Sequence, residues 1–215
     1  MERADTVIFA VWFDVLRDLV AQNTARLAGK VVIDPSHPIG PDGKGGFKRT
    51  LPDGVSSGSV IARMLPPRAH FVKAFGTVSA EHLANASNRS PERAVLFYAT
   101  DDDAAGVRAE RLISLAGFAA VKVGGLDQAI RIEAFGDLHD LGGLGGRLLT
   151  TERLSAGQVS TTSLPLTRLP SMSACAWTIS SMWYTWPIGT AAVPRATLSR
   201  NSWSSRGGRS AASPP

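Results

Sequence analysis

Thr6-Val7-Ile8-Phe9-Ala10-Val11 carries no charge and is rich in β-branched and apolar side chains. Such a run reads as a strand buried on both faces of a parallel sheet. A strand of that kind rarely opens a fold. Working outward, Val15, Leu16, Leu19 and Val20 recur at helical spacing while Arg17, Asp18 and Gln22 face away, so a covering helix follows the strand. Gly29 closes the helix, and Lys30-Val31-Val32-Ile33-Asp34 is a second buried strand that Pro35 and Pro38 stop.

The alternation continues. The region 39–58, rich in Gly, Pro and charge, reads as a mobile loop of the length that binding lids take. Ser59 to Leu65 reads as a short helix, His70 to Phe75 as a third strand, Ser79 to Ala84 as a helical turn or two, and Ala94 to Ala99 as a fourth strand. A helix from Ala104 to Ala116 should bury Val107, Leu112, Ile113 and Leu115, and Phe118 to Val123 should form a fifth strand. An amphipathic helix over Leu126 to Asp140 completes the series. The fold class is therefore α/β, a mostly parallel sheet with helices on both faces.

Charge divides the chain near Arg153. Up to there Lys plus Arg and Asp plus Glu both number 18, and beyond it stand Arg168, Arg195, Arg200, Arg206 and Arg209 with no acid, so the net charge of +5 belongs to the tail. The body has no basic excess to attract nucleic acid, and none is expected as a partner. Residues 1–150 are read as one domain and 151–215 as a Ser-, Pro- and Trp-rich basic tail, disordered or loosely packed. Cys175, the single cysteine, rules out an internal disulfide, and Glu2, Arg3 and Asp5 argue against a signal peptide, so the cytoplasm is the expected location. The uncharged stretch 169–194 has the length of a membrane span, but frequent Ser and Thr and Pro187 weigh against one, and no membrane partner is expected.

In an open parallel sheet, ligands bind beyond the carboxyl ends of the strands. Those ends are Val11-Trp12, Asp34 to Pro38, Lys73 to Thr77 and Thr100-Asp101-Asp102. The alternative is that Trp12 and Phe75 are ordinary core aromatics and the prolines ordinary strand stops. Asp101-Asp102-Asp103 precede a helix, where carboxylates cap free N–H groups, and are read as a cap and not as a metal site. His37, His70, His82 and His139 show no paired-ligand spacing, so no metal is expected. No GxSxG elbow is present. The glycine cluster Leu141 to Arg147 follows a helix and has Leu148 where a third glycine would fall, so it reads as a flexible helix terminus and not as a phosphate loop.

The order of the Thr6 strand, LAGKVVID followed by PSHPIGPDG, then HFVKAFGTV, VLFYATDDDAAG and GLDQAIRIE resembles the NADPH-dependent reductases of the deazaflavin coenzyme F(420) and their bacterial relatives. The resemblance covers roughly Asp5 to Leu149. It implies a Rossmann-like sheet lacking the first βαβ unit, which in relatives carries GxGxxG; with the abrupt change of composition beyond Arg153, the expectation is a reading frame that starts late and shifts near Thr151. It further implies an oxidoreductase that passes hydride between NADP and a deazaflavin or small substrate. Such chemistry needs two rings held face to face more than it needs an acid–base pair. Val11 and Trp12 would border the dinucleotide, Pro35, Ser36, His37 and Pro38 would lie by the nicotinamide, and Lys73, Ala74, Phe75, Gly76 and Thr77 would shape the floor of the second-ring site. Relatives commonly carry Asn-Pro where this chain has His37-Pro38, and Asn where it has Gly76. The partners so implied are a small-molecule cofactor or substrate, with a homodimer as a candidate assembly. The competing expectation is a non-catalytic binding module that works through the exposed edge of the first strand and the basic tail.

Overall fold

The computed structural model describes residues 3–156. A five-stranded sheet has the order β1 (Thr6–Ile8), β2 (Val31–Asp34), β3 (His70–Lys73), β4 (Val95–Ala99) and β5 (Ala119–Gly124). β1, β2 and β3 are parallel, with Thr6 opposite Val31 and Asp34 opposite Lys73, and β4 and β5 are parallel to each other. β4 meets β3 antiparallel at Lys73 and Ala99. The sheet is thus mostly parallel, as expected, with one reversal that divides its poles. The carboxyl ends of β1, β2 and β3 share one pole, and those of β4 and β5 lie at the other. Thr100-Asp101-Asp102 therefore do not join the first three strand tips.

Helices cover both faces. On one face α1 (Phe13–Leu27) and α2 (Ser57–Met64) bury Phe13, Leu16, Val20, Leu27 and Ile61 against Val32 and Phe71. Beside them the 3-10 helix Leu126–Ile132 packs Ala129 and Ile132 on Val95, Phe97 and Ala99. On the other face α4 (Asp103–Leu115) buries Ala105, Ala109 and Ile113 against Ile33, Val72, Leu96 and Tyr98, and Leu83 of the short α3 (Ala80–Asn85) packs at its margin. Alternate strand residues supply the two cores, as the two-residue period of a strand requires.

Several expectations are corrected. β1 is an edge strand that ends at Ile8, and Ile8 is 47% exposed, so the Thr6 run is not buried on both faces. Val15 is exposed while Leu16 and Val20 are buried, because the helix turns a narrower stripe to the sheet. The stretch 39–58 is not a plain loop: Ile39–Pro41 and Phe47–Arg49 pair as an antiparallel hairpin, and α2 begins at Ser57. Asp42 Oδ1 ties the turn by accepting the N–H groups of Lys44 and Gly46 at 2.7 and 2.9 Å. Val107 and Leu115 lie on the solvent side of α4, since the small Ala105, Gly106 and Ala109 bring its backbone close to the sheet. After Ile132 the anticipated helix gives way to turns. Arg131 binds Asp137 at 2.7 Å and Leu138 N donates back to Arg131 O at 2.9 Å, a closed loop that a continuous helix cannot make. The glycine cluster belongs to the same turns, where Gly143 N donates to Gly136 O at 3.0 Å and Gly146 N to Asp140 O at 2.6 Å. It is a set of knitted turns and not a helix terminus. The stretch 169–194 and nearly all of the basic tail lie outside the described residues, among which no helix is long and apolar enough to cross a membrane.

Candidate functional site at the shared pole of three strands

Beyond β1 the chain turns through Phe9 to Val11, with Val11 N donating to Phe9 O at 2.9 Å, and enters α1 at Trp12. Val11 is exposed, and Trp12 is 56% exposed, stacked on Phe47 of the hairpin with ring centroids 6.4 Å apart and planes 28° from parallel. The hairpin springs from the tip of β2, where Thr50 N donates to Pro38 O at 2.8 Å. The tips of β1 and β2 are thereby joined across an aromatic shelf.

The tips of β2 and β3 meet more closely. Asp34 and Lys73 are fully buried, and Lys73 Nζ donates to Asp34 Oδ2 at 2.7 Å, to Ser57 Oγ at 2.8 Å and to the carbonyl of Ser36. Ser57 Oγ donates to the buried Glu133 at 2.8 Å, Gly58 N donates to the same oxygen at 3.1 Å, and Arg49 of the hairpin reaches the other oxygen at 3.5 Å. All three Lys73 donors are spent on protein acceptors, which is what a buried ammonium needs to offset its desolvation. Asp34 Oδ1 also accepts Ser36 N at 2.7 Å, so the turn after β2 is fixed by the same carboxylate. The buried Ser36 Oγ has no hydrogen-bond partner among the described residues.

The β3 tip packs beneath the β2 tip. Phe75 takes a positive φ of 66°, and a Cβ on Gly76 would lie 2.6 Å from Pro35 O and 2.9 Å from His37 Cε1. This close approach leaves no room for a side chain at 76. His37 Nδ1 accepts Ala134 N at 3.0 Å, and the ring sits edge-on to His139 with centroids 4.9 Å apart. Burial, then the Lys73 ammonium and His139, hold the His37 imidazole well below its ordinary range, against smaller opposition from Asp140 and the Gly76 backbone. His37 is a neutral ring. Ala74 N bonds Asp34 O at 3.2 Å, and Thr77 Oγ1 accepts Phe97 N at 3.3 Å while Thr77 O accepts Asp140 N at 3.1 Å. Burial works against the charge of Asp140, but His139, the Ser79 N–H and His82 outweigh it and hold this carboxyl far below the usual range.

The anticipated residues thus fall into two sets. Val11 and Trp12 are exposed and Pro35, His37 and Phe75 are half-buried, whereas Ser36, Pro38, Lys73, Ala74, Gly76 and Thr77 are buried beneath them. Phe47, Arg49, Ser57, Glu133 and Asp140 escaped the sequence reading. Only Glu133 carried a signal, as the last residue of GLDQAIRIE. Asp102, at the other pole, caps α4 by accepting Ala105 N at 2.9 Å and also binds His70 Nδ1. Among the described residues no group of three His, Cys, Asp or Glu could hold a metal ion.

A scan against protein-family models found no match, nor did a search of curated proteins. Among solved structures the chain is similar to a hypothetical protein, SMa0349, from Sinorhizobium meliloti, with 29% identity and a TM-score of 0.59 over 69% of this chain and 68% of that one. It is also similar to a protein of Arthrobacter sp. FB24 assigned as an F(420)-dependent NADP-reductase, with 22% identity and a TM-score of 0.53 over 60% of this chain and 58% of that one. The chain thus spans under two thirds of the length of the second. These likenesses and the sheet topology define the class, an α/β protein with a Rossmann-like fold.

Proposed function

We propose that residues 1–150 form the ring-binding part of an NAD(P)-linked oxidoreductase, passing hydride between NADPH and a deazaflavin of the coenzyme F(420) type or a small acceptor. The observation that carries this reading is the convergence of the β1, β2 and β3 carboxyl ends on one pole, where the exposed Trp12 stacks on the half-buried Phe47 and where the half-buried Pro35 and Phe75 also stand. A planar ring gains from offset stacking on an exposed aromatic side chain. The neutral His37 adds no charge that would repel an oxidised nicotinamide. The Lys73 network beneath keeps this surface fixed, and positioning is the protein's share of hydride transfer. The bound nicotinamide and its acceptor would supply the redox chemistry.

The described residues fit the ring better than the pyrophosphate. They contain no strand-to-helix turn of the form Gly-x-Gly-x-x-Gly, the usual source of backbone donors to a dinucleotide. Each missing charge-assisted hydrogen bond removes about 1.5–3 kcal/mol, so two weaken binding on the order of a hundredfold or more. Titration of the full chain with NADPH and with NADH, followed by nicotinamide fluorescence, should give weak saturable binding that Trp12→Ala removes. A flat trace for both nucleotides would withdraw the enzyme reading. The alternative, a non-catalytic binding module, is favoured by one observation, the unpaired apolar edge of β1.

A further inference from the structure

His139 Nδ1 faces a donor and an acceptor at once. The N–H of Leu141 donates to it at 2.9 Å, so this nitrogen carries a lone pair and the neutral ring keeps its proton on Nε2. Asp140 Oδ1 lies 3.1 Å from the same nitrogen. That oxygen is buried and has no hydrogen-bond partner among the described residues, whereas Oδ2 accepts Ser79 N at 2.6 Å and His82 Nδ1 at 2.7 Å. Two acceptors therefore stand against each other in the interior, and a buried acceptor without a donor is unfavourable. One proton on His139 Nδ1 would supply the donor that Asp140 Oδ1 lacks. The same proton would deprive the Leu141 N–H of its acceptor, because a protonated ring nitrogen has no lone pair to offer.

We propose that His139 is a proton-operated latch on the glycine-rich turn 141–147. With the ring neutral, the Leu141 N–H is tied to Nδ1. With the ring protonated, Nδ1 donates to Asp140 Oδ1 and Leu141 is let go. The ring needs no rotation, since both partners already lie within hydrogen-bond reach. The Leu141 side chain is exposed, so packing does not replace the lost bond. Further anchors of the turn are backbone bonds to the same two residues, Gly142 N to His139 O at 3.0 Å and Gly146 N to Asp140 O at 2.6 Å. Asp140 N donates to Thr77 O at 3.1 Å, which hangs the latch from the segment that leaves β3. The charged and titratable groups of the surrounding elements set how readily the proton is taken up. Against the cost of burial, His139, the Ser79 N–H and His82 keep Asp140 ionised, so it attracts the proton. His82, on α3, competes for the same carboxylate. His37, edge-on with ring centroids 4.9 Å apart, is kept neutral by burial and the Lys73 ammonium, and Lys73 is itself paired with Asp34.

The inference does not depend on the enzyme reading. The full chain, carrying isotope-labelled leucine and histidine, is titrated by NMR from about pH 8 to pH 5, the span in which a histidine changes charge. Leu141→Met identifies the Leu141 amide, and Gln in place of each histidine in turn assigns the rings. The His139 ring should gain its proton on Nδ1, and the Leu141 amide should shift with the same midpoint. His139→Gln should abolish that shift. His82→Gln should keep it and raise its midpoint, because Asp140 then serves one ring and not two; as His82 is half-exposed, this variant tests the latch even where His139→Gln does not fold. A Leu141 amide that stays still while the His139 ring titrates overturns the proposal. So does a His139 ring that holds one protonation state throughout, or a Leu141 response that follows His37 or His82 in place of His139.

Discussion

At the scale of single residues, the site depends on two positions, Gly76 and His37, that pack against each other. A methyl group on Gly76 would press on the Pro35 carbonyl at 2.6 Å, and that contact is with backbone, which cannot rotate away. Gly76→Ala should therefore destabilise the fold by about 1–3 kcal/mol, read from the urea midpoint. His37 makes the stability depend on pH. Its folded-state pKa lies below the ordinary histidine value, so its contribution is fully present above about pH 6.5 and declines as pH falls below it, because only the unfolded chain takes up the proton. Urea midpoints measured from pH 7 to pH 5 should fall for the wild type and change less for His37→Gln. Asp140 acts in the same direction at lower pH. Its depressed carboxyl stabilises the fold above the ordinary carboxylate range and loses that effect progressively below about pH 4. Of these residues, His37 and Gly76 could be named from the sequence because they flank strand ends, but their packing against each other could not. The contact joins residues 39 positions apart, and no local period records it.

At the scale of elements, the coupling of β2 to β3 rests on Lys73 and Asp34 in paired register. Lys73→Met strands Asp34 without its partner and should cost about 3–5 kcal/mol, while Lys73→Met/Asp34→Asn should recover part of that loss in the same denaturation assay. α4 depends on its cap. Asp102→Ala removes the acceptor for Ala105 N and the partner of His70 and should cost about 1–2 kcal/mol in thermal or urea unfolding. The elements that were legible in the sequence are those with a strong local period or stop: β2 before Pro35, β4 in its continuous apolar run, and α4 between Asp102 and Gly117. Those misread lack such signals. The hairpin of 39–49 is held by an Asp42 turn and by contacts with Trp12, and the turns after Ile132 by Arg131 and Asp137. Side-chain hydrogen bonds of this kind compete with helix and sheet but leave no periodicity.

At the scale of the whole molecule, one reversal in the sheet sets the functional geography. Because β4 runs against β3, three strand ends share the pole that holds Trp12, Asp34 and Lys73, and the acidic triplet Asp101 to Asp103 is carried to the far end. The sequence holds five tryptophans, so a variant that keeps Trp12 and carries Phe in place of Trp177, Trp183, Trp186 and Trp203 makes fluorescence report on that pole. NADPH should quench Trp12 emission with the same half-saturation as the nicotinamide signal, and a mismatch between the two would place the nucleotide elsewhere. The amino-acid order by itself determined the alternation of strands and helices, the split of charge near Arg153 and the strand ends where ligand-facing residues should stand. Those follow from side-chain periodicity, composition and backbone stops, all of them local properties. Only the tertiary structure decided that β1 is an edge, that β4 is reversed, and that Arg49, Ser57 and Glu133 gather around Lys73. Strand order and buried ion pairs arise from contacts between segments far apart in the chain, which cost loop entropy to form and are chosen by the packing of the whole core.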